Sequence, residues 1–492
     1  MNGNQHNYGC KSIQPGILHI GVGNFHRAHQ AFYIDRLLHD SDQSEWGICG
    51  VCLLQSDAKI VHKLRSQQLS YTLTVCGRDG KDEMHHIHSI RELLWAIEDP
   101  QTVISKIADP AIKIISLTIT EGGYNLDKIT QEFVLENELI QHDLQHPQLP
   151  ITVFGFVAAG LRERKRAHGG GLTILSCDNL QHNGEVAKKA FTDFIRAQDE
   201  ELGEWVKDQV SFPNSMVDRI TPMTTEADVV RLNKQNGQSD QVPVYCEDFI
   251  QWVIEDDFVA GRPALEKVGV QFTADVKSFE NMKLSLLNAS HSLLSYPSFL
   301  KGYRKVDEAM GDDAIQLFIK DFMDIDVTPH VPAPEGMDLE QYKQTLLARF
   351  ANRSVSDQVS RLCADGISKF PVYIVPTLAK MLNAGQDLTR LALLVASYRH
   401  YLKYRQDDHG QSFEIHEPWL TAADLEKVNS ADVHDFLGLS MFQNINLQGE
   451  NQFVDRYMAF VHQIETKGMG KLLEDYHSFR TGHLSQTDFL SK

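Results

Sequence analysis

Gly16-Ile17-Leu18-His19-Ile20-Gly21-Val22-Gly23-Asn24-Phe25-His26-Arg27-Ala28-His29-Gln30-Ala31-Phe32 reads as a short strand over residues 17–20, a Gly-x-Gly turn, and a helix with Phe32, Leu37 and Leu38 on its apolar side. In such a turn, glycines let backbone N–H groups approach a pyrophosphate at the positive end of the helix. The motif is truncated: His26 stands where the longer Gly-x-Gly-x-x-Gly pattern has its last glycine. An ordinary tight turn is the plain alternative, and the flanking strand and helix favour dinucleotide binding over it.

A second strand is expected over residues 46–54, one helix later, the β-α-β spacing of a doubly wound sheet. Residues 112–120 (IKIISLTIT) and 172–177 (LTILSC) are apolar enough to be central parallel strands buried on both faces. The first ends at a turn beginning Thr120-Glu121-Gly122-Gly123; the second runs into Asp178-Asn179, which reads as a helix start. From about residue 277 helix-period segments take over, at 279–299, 312–323, 339–350, 356–362, 377–384, 388–404 and 452–472. The expected organisation is an α/β Rossmann-type N-terminal domain, 1–277, followed by a mostly α-helical C-terminal domain, 278–492.

Of the 492 residues, 47 are Lys or Arg and 66 Asp or Glu, a net charge of −19. So acidic a surface argues against nucleic-acid or anionic-membrane partners. No apolar run approaches the ~20 residues that span a bilayer. The polar first 14 residues carry no targeting pattern. Seven cysteines, Cys10 among them, are scattered and odd in number, which suits a reducing, cytoplasmic setting rather than a disulfide framework.

Coenzyme choice is expected at the end of the second strand, where an acidic side chain accepts from the ribose hydroxyls of NAD and repels the extra phosphate of NADP. Asp57 fits that role or the role of a helix N-cap. Gln55 takes the first position past the strand, so NAD is favoured and NADP stays open.

The richest segment is 279–294. At about 100° per residue, Glu280, Lys283, Asn288 and His291 fall within an arc of about 140° on one helix face. A polar surface stripe is the plain alternative. Against it stands a shared chemistry: alcohol oxidation needs a base for the hydroxyl proton, donors for the developing oxyanion, and a hydride acceptor. A lysine base has to fall a few units from about 10.4, which desolvation can supply. Asn288 offers an amide N–H, His291 can polarise the same oxygen, and Glu280, one turn before Lys283, can pass the proton on to water. Asn179 stands at the carboxyl end of a central strand, where open α/β sheets place their ligands; its alternative is an N-cap. Arg361 and Lys369 flank a glycine-containing turn, as pocket cations or as surface ones.

These residues lie among longer stretches: 20–31 (IGVGNFHRAHQA), 46–51 (WGICGV), 71–73 (YTL), 116–124 (SLTITEGGY), 176–184 (SCDNLQHNG), 211–224 (SFPNSMVDRITPMT), 266–273 (EKVGVQFT), Lys283-x4-Asn288-x2-His291, 299–304 (FLKGYR), 326–329 (DVTP), 341–346 (QYKQTL) and 365–377 (DGISKFPVYIVPT). In this order they resemble the polyol-specific long-chain dehydrogenases. The resemblance implies Lys283 as general acid/base, Asn179 and Asn288 as the oxyanion pocket, and His291 orienting the reacting oxygen. It implies Arg361 on substrate hydroxyls, Lys369 beside it, Glu280 gating proton exchange, and Asp218 near the nicotinamide. Gly21, Gly23, Asn24 and Phe25 would line the diphosphate, with Ile20, Thr120 and Glu121 completing the cofactor contacts. Where the family has Glu-x-Asp, this chain has Gln55-Ser56-Asp57, which weakens the inference on coenzyme preference.

The implied activity is reversible, metal-independent oxidation of a hexitol to a 2-ketohexose, mannitol to fructose, with NAD, by a monomer. The alternatives are a hexuronate (fructuronate) reductase, an arabinitol or sorbitol dehydrogenase, or a sugar-binding protein that has lost its chemistry. The Cys49-Gly50-Val51-Cys52 pattern lies within a predicted strand and lacks the helix N-terminus that activates such thiols. His85, His86 and His88 lack the partners a metal site needs.

Overall fold

The computed structural model describes residues 12–127 and 130–491, so Cys10 and most of the polar N-terminal stretch lie outside the described residues. The chain divides into two compact units, 1–277 and 278–492.

The first unit holds strands β1 (Pro15–Ile20), β2 (Gly47–Cys52), β3 (Tyr71–Cys76), β4 (Glu83–Ile87), β5 (Ile90–Trp95), β6 (Ile114–Leu117), β7 (Leu172–Ser176), β8 (Val210–Ser211), β9 (Ser215–Asp218), β10 (Val244–Glu247), β11 (Gln251–Ile254) and β12 (Gln271–Phe272). The main sheet runs β5-β2-β1-β6-β7-β8 and is parallel throughout. This is the doubly wound order with its switch point between β1 and β6, where such sheets receive ligands at their carboxyl ends. Alternate side chains feed two cores: Ile17, Ile48 and Cys52 enter one, while Leu18, Ile20 and Val51 enter the other. The Cys49-x-x-Cys52 pair is therefore part of β2, with both thiols buried. Burial pushes the Cys52 thiol up to about 12. His85 and His86 lie on β4, paired to β3 in a separate three-stranded sheet.

Three expectations need correction. The strand expected over 112–120 is confined to Ile114–Leu117: the Thr118 N–H still reaches the Ile20 carbonyl at 3.0 Å, and then Ile119 and Thr120 leave the ladder for a side-chain partner described below. The helix start at Asp178-Asn179 is displaced: the helix is Asn183–Gln198, behind His182 in a left-handed conformation. The helix after Gly-x-Gly is two pieces, Asn24–Ala28 and Gln30–Leu37, with a kink at His29 (φ −115°, ψ −87°). The His29 Nε2 lies 2.9 Å from the Gln251 carbonyl oxygen.

The second unit is helical, and the segments expected at 339–350 and 388–404 appear as Leu339–Phe350 and Thr389–Tyr404. Its centre is the buried helix Ala289–Lys301, packed against Thr389–Tyr404, Val359–Cys363 and the long helix Asn451–Arg480. That long helix breaks at Gly468 (φ 82°), where Asp408 accepts from the Met469 and Gly470 N–H groups at 3.0 and 2.6 Å and caps the second half. No helix among the described residues is long and apolar enough to cross a membrane.

Candidate active site

Gly21 and Gly23 follow the carboxyl end of β1, Thr120 and Glu121 that of β6, and Asn179 that of β7. Gly21 has φ 104°, and a Cβ there would lie 2.1 Å from the Thr118 carbonyl oxygen, so the fold itself requires glycine. Gly23 is different. Its φ is −90° and ψ −175°, any residue could adopt them, and a Cβ would meet nothing within 4 Å. A glycine that the fold does not need, facing open space at the switch point, is what close approach of a diphosphate calls for. The Asn24 amide is tied down, donating to the Pro222 carbonyl at 3.3 Å and the Thr224 hydroxyl at 3.2 Å. Phe25 stacks on His29. Ile20 is buried in the core, which leaves its backbone as the part nearest the turn.

Asp57 does not cap the helix Ala58–Ser66 with its side chain. Its carboxylate turns back to the end of β2 and accepts from the Leu54 N–H at 2.9 Å, next to exposed Gln55 and Ser56.

Thr120 has φ 65° and ψ 165°, a region almost reserved for glycine, costing a β-branched residue on the order of 1–3 kcal/mol. The residue that holds it there is Asp178. Its carboxylate accepts from the Ile119 and Thr120 N–H groups at 3.1 and 2.8 Å and from the Tyr124 hydroxyl at 2.8 Å. Burial raises the Asp178 carboxyl above its usual range, and those three donors oppose the rise. Asn179 follows, exposed beyond the end of β7, with Glu121 exposed on the turn after Thr120. Asp218 is buried at the end of β9, paired in register with Gln251.

The second unit carries the polar helix face. Val276–Lys283 continues into a π turn, Leu284–Asn288, and then Ala289–Lys301. The Ala289 N–H reaches the Leu284 carbonyl, five residues back. A π turn absorbs about one extra residue in an otherwise regular helix, so the arc holding Glu280, Lys283, Asn288 and His291 narrows from about 140° to about 80°. The backbone irregularity gathers these groups more tightly than a regular helix would. Glu280 and Lys283 are buried. The Asn288 Oδ1 is buried without a hydrogen-bond partner, an acceptor left with capacity for a ligand hydroxyl.

His291 lies against the Phe350 ring, centroids 4.7 Å apart. Burial, then the charges of Arg361, Arg349, Lys369 and Lys283, hold its imidazole well below the usual range, so it is neutral at physiological pH. In a chain of net charge −19, this is a local positive field, suited to an oxygen that becomes negative. Arg361 pairs with Asp357 through Nε at 2.8 Å and through Nη2. Burial works against the charge on Arg361, but the Asp357 carboxylate outweighs it. Lys369 donates to the Leu362 carbonyl at 3.2 Å; burial and then Arg361 lower its ammonium from the usual range. Its helix, Gly366–Tyr373, is capped by Glu417, which accepts from the Gly366 and Ile367 N–H groups at 2.8 and 3.2 Å. Arg349, Asp357 and Glu417 were not singled out from the sequence, and Asp178 only as part of a helix start. No group of three or more His, Cys, Asp or Glu side chains among the described residues is placed to hold a metal ion.

Residues 15–267 match the mannitol dehydrogenase Rossmann domain and residues 275–465 the mannitol dehydrogenase C-terminal domain. The chain belongs to the mannitol dehydrogenase family. Among solved mannitol dehydrogenase relatives, the Pseudomonas fluorescens mannitol 2-dehydrogenase ternary complex with NAD and D-mannitol is 44% identical, with a TM-score of 0.85 over 95% of this chain and 94% of that one. A D-sorbitol dehydrogenase in substrate-free form is 39% identical, TM-score 0.86, covering 93% of this chain and 94% of that one. The polyol:NADP oxidoreductase of Gluconobacter oxydans is 40% identical over 464 residues, 94% of this chain and 95% of that protein.

Proposed function

We propose that the chain is an NAD-dependent polyol oxidoreductase that interconverts D-mannitol and D-fructose without a metal. The observation that carries this reading is the amine, amide and imidazole gathered by the π turn beside Arg349, Arg361 and Lys369. When bound, NAD supplies the hydride acceptor. Gly21, Gly23, Asn24 and Phe25 would hold its diphosphate, with Ile20, Thr120, Glu121 and Asp218 contributing around it. Asp57 would take the ribose hydroxyls, which favours NAD over NADP.

In oxidation Lys283, unprotonated, takes the hydroxyl proton of the substrate. Asn179 and Asn288 are the proposed donors to the resulting oxyanion. His291, neutral, orients the same oxygen by one hydrogen bond. Arg361 and Lys369 hold the remaining hydroxyls, and Glu280 passes the proton between Lys283 and water. In reduction protonated Lys283 returns the proton. The six described cysteines are buried and none of them forms a disulfide, which fits a cytoplasmic setting. The reading has the chain act as a monomer on a free sugar alcohol.

A panel of mannitol, sorbitol and arabinitol with NAD and NADP, and of fructose and fructuronate with NADH, tests it by nicotinamide absorbance. Mannitol with NAD and fructose with NADH should give the highest kcat/KM. A clear preference for sorbitol, arabinitol or fructuronate overturns the substrate, and preference for NADP overturns the role of Asp57.

The two glycines separate fold from binding. Gly23→Ala should leave the unfolding temperature unchanged or raise stability by up to about 1 kcal/mol, while weakening NADH binding at least about tenfold, as a titration would show. Gly21→Ala should cost at least about 2 kcal/mol of stability, from strain at positive φ. Equal effects at the two positions would contradict this.

A further inference from the structure

The pattern Gly21-x-Gly23-x-x-His26 lacks the glycine that normally allows close helix–strand packing. In its place the His26 ring lies flat on His19, centroids 3.4 Å apart and planes within 11°. Both side chains are fully enclosed, although His19 belongs to an otherwise apolar strand. In the register of β1 and β6, His19 stands opposite Ser116, and its Nδ1 lies 2.8 Å from the Ser116 hydroxyl. Its Nε2 lies 3.0 Å from the Gly21 carbonyl oxygen and 3.0 Å from the Thr118 hydroxyl. That hydroxyl itself donates to the Gly21 oxygen at 2.7 Å, and the Gly23 N–H donates to it at 2.8 Å. With the one proton of neutral His19 on Nε2, that carbonyl has three donors around it. Because a trans peptide is planar, holding that C=O inward turns the N–H of the same peptide, on Val22, the opposite way.

This matters because the helix behind the turn, Asn24–Ala28, is only five residues long. So short a helix contributes little axial dipole, and anion recognition falls on how the amides of the turn are aimed. Burial pushes the His19 imidazole down to about 3 and holds His26 well below its usual range, so the stacked rings stay neutral and do not repel.

We propose that His19, braced by the His26 ring, is a positioning residue for the dinucleotide: it latches the Gly21 carbonyl and pre-aims the amides of the turn without touching the ligand. The proposal rests on the dinucleotide reading above. The test is NADH titration of the full chain, followed by fluorescence or calorimetry, for His19→Phe, His19→Gln and Thr118→Val. His19→Phe keeps a ring against His26 and removes the donor, and the NADH Kd should rise about tenfold to a hundredfold. His19→Gln, with an amide nitrogen at similar reach, should recover most of the loss. Thr118→Val, which removes the second donor, should raise the Kd in the same direction, and it decides the matter if His19→Phe does not fold. The shift should appear in the KM for NADH and not in the KM for the sugar. Unchanged Kd in the folded variants, or equal movement of both KM values, overturns the proposal alone. Failure of the wild-type chain to bind NADH or NADPH overturns the dinucleotide reading and the proposal with it.

Discussion

Lys283→Ala is expected to lower turnover about 10³- to 10⁴-fold in both directions, the scale of a positioned general acid/base, while NADH binds with nearly wild-type Kd. The helix should survive: alanine is the best helix former, and the π turn that follows is set by backbone bonds and by buried Leu284, Leu286 and Leu287. The change belongs in kcat, because the group acts on a proton in flight rather than on a resting ligand. Small primary amines added to the variant should restore part of the rate, their efficiency rising with amine basicity, which separates a lost proton acceptor from a distorted pocket. Turnover of Lys283→Ala within tenfold of wild type would remove the proposed chemistry and leave the fold standing.

Asp326→Ala should be the most damaging single change to stability, at about 3–5 kcal/mol. Asp326 and Arg390 form a buried bidentate pair, with both N–O distances 2.6 Å. Removing the carboxylate strands a buried guanidinium whose other acid, Asp387, lies 3.8 Å away. The double variant Asp326→Leu with Arg390→Met should regain most of the loss, because the pair's attraction is largely spent on its desolvation. Urea denaturation of the three proteins checks this; a double variant as unstable as the single one would mean that the ion pair itself supplies the stability. Asp326 lies in a second π turn, Phe322–Val327, which packs against the first, so the loss should extend to the helix bearing Lys283.

The main sheet was legible because central parallel strands are continuous apolar runs, and 17–20, 46–54 and 172–177 are such runs. Residues 112–120 misled for the same reason: Thr118, Ile119 and Thr120 have strand-like chemistry, and only the tertiary pull of Asp178 on two backbone N–H groups takes Ile119 and Thr120 out of the ladder. That pull also explains the misplaced helix start, since Asp178 bonds backward across the sheet rather than forward as a cap. The residues proposed for the sugar side could be picked out by type and spacing, but spacing was converted to angle on the assumption of a regular helix. Residues 284–288 carry no glycine, proline or other mark of a π turn, so the narrower arc could not be read from them. Arg349 and Glu417 lie far along the chain from the groups they act on, and only folding brings them near. His19 did leave a sign, a polar residue within a buried strand, which asks for a partner wherever it occurs.

The π turn at Leu284–Asn288 also bears on engineering this chain for robustness. Substitutions that drew these residues into a regular helix, with none removed, would let every amide find its ordinary partner four back and give a straighter, better-bonded rod. Asn288 and His291 would then swing about 100° around the axis relative to Lys283. A screen that rewards only heat resistance would welcome that repair, and the sturdier protein it selected would be a spectator to its own substrate.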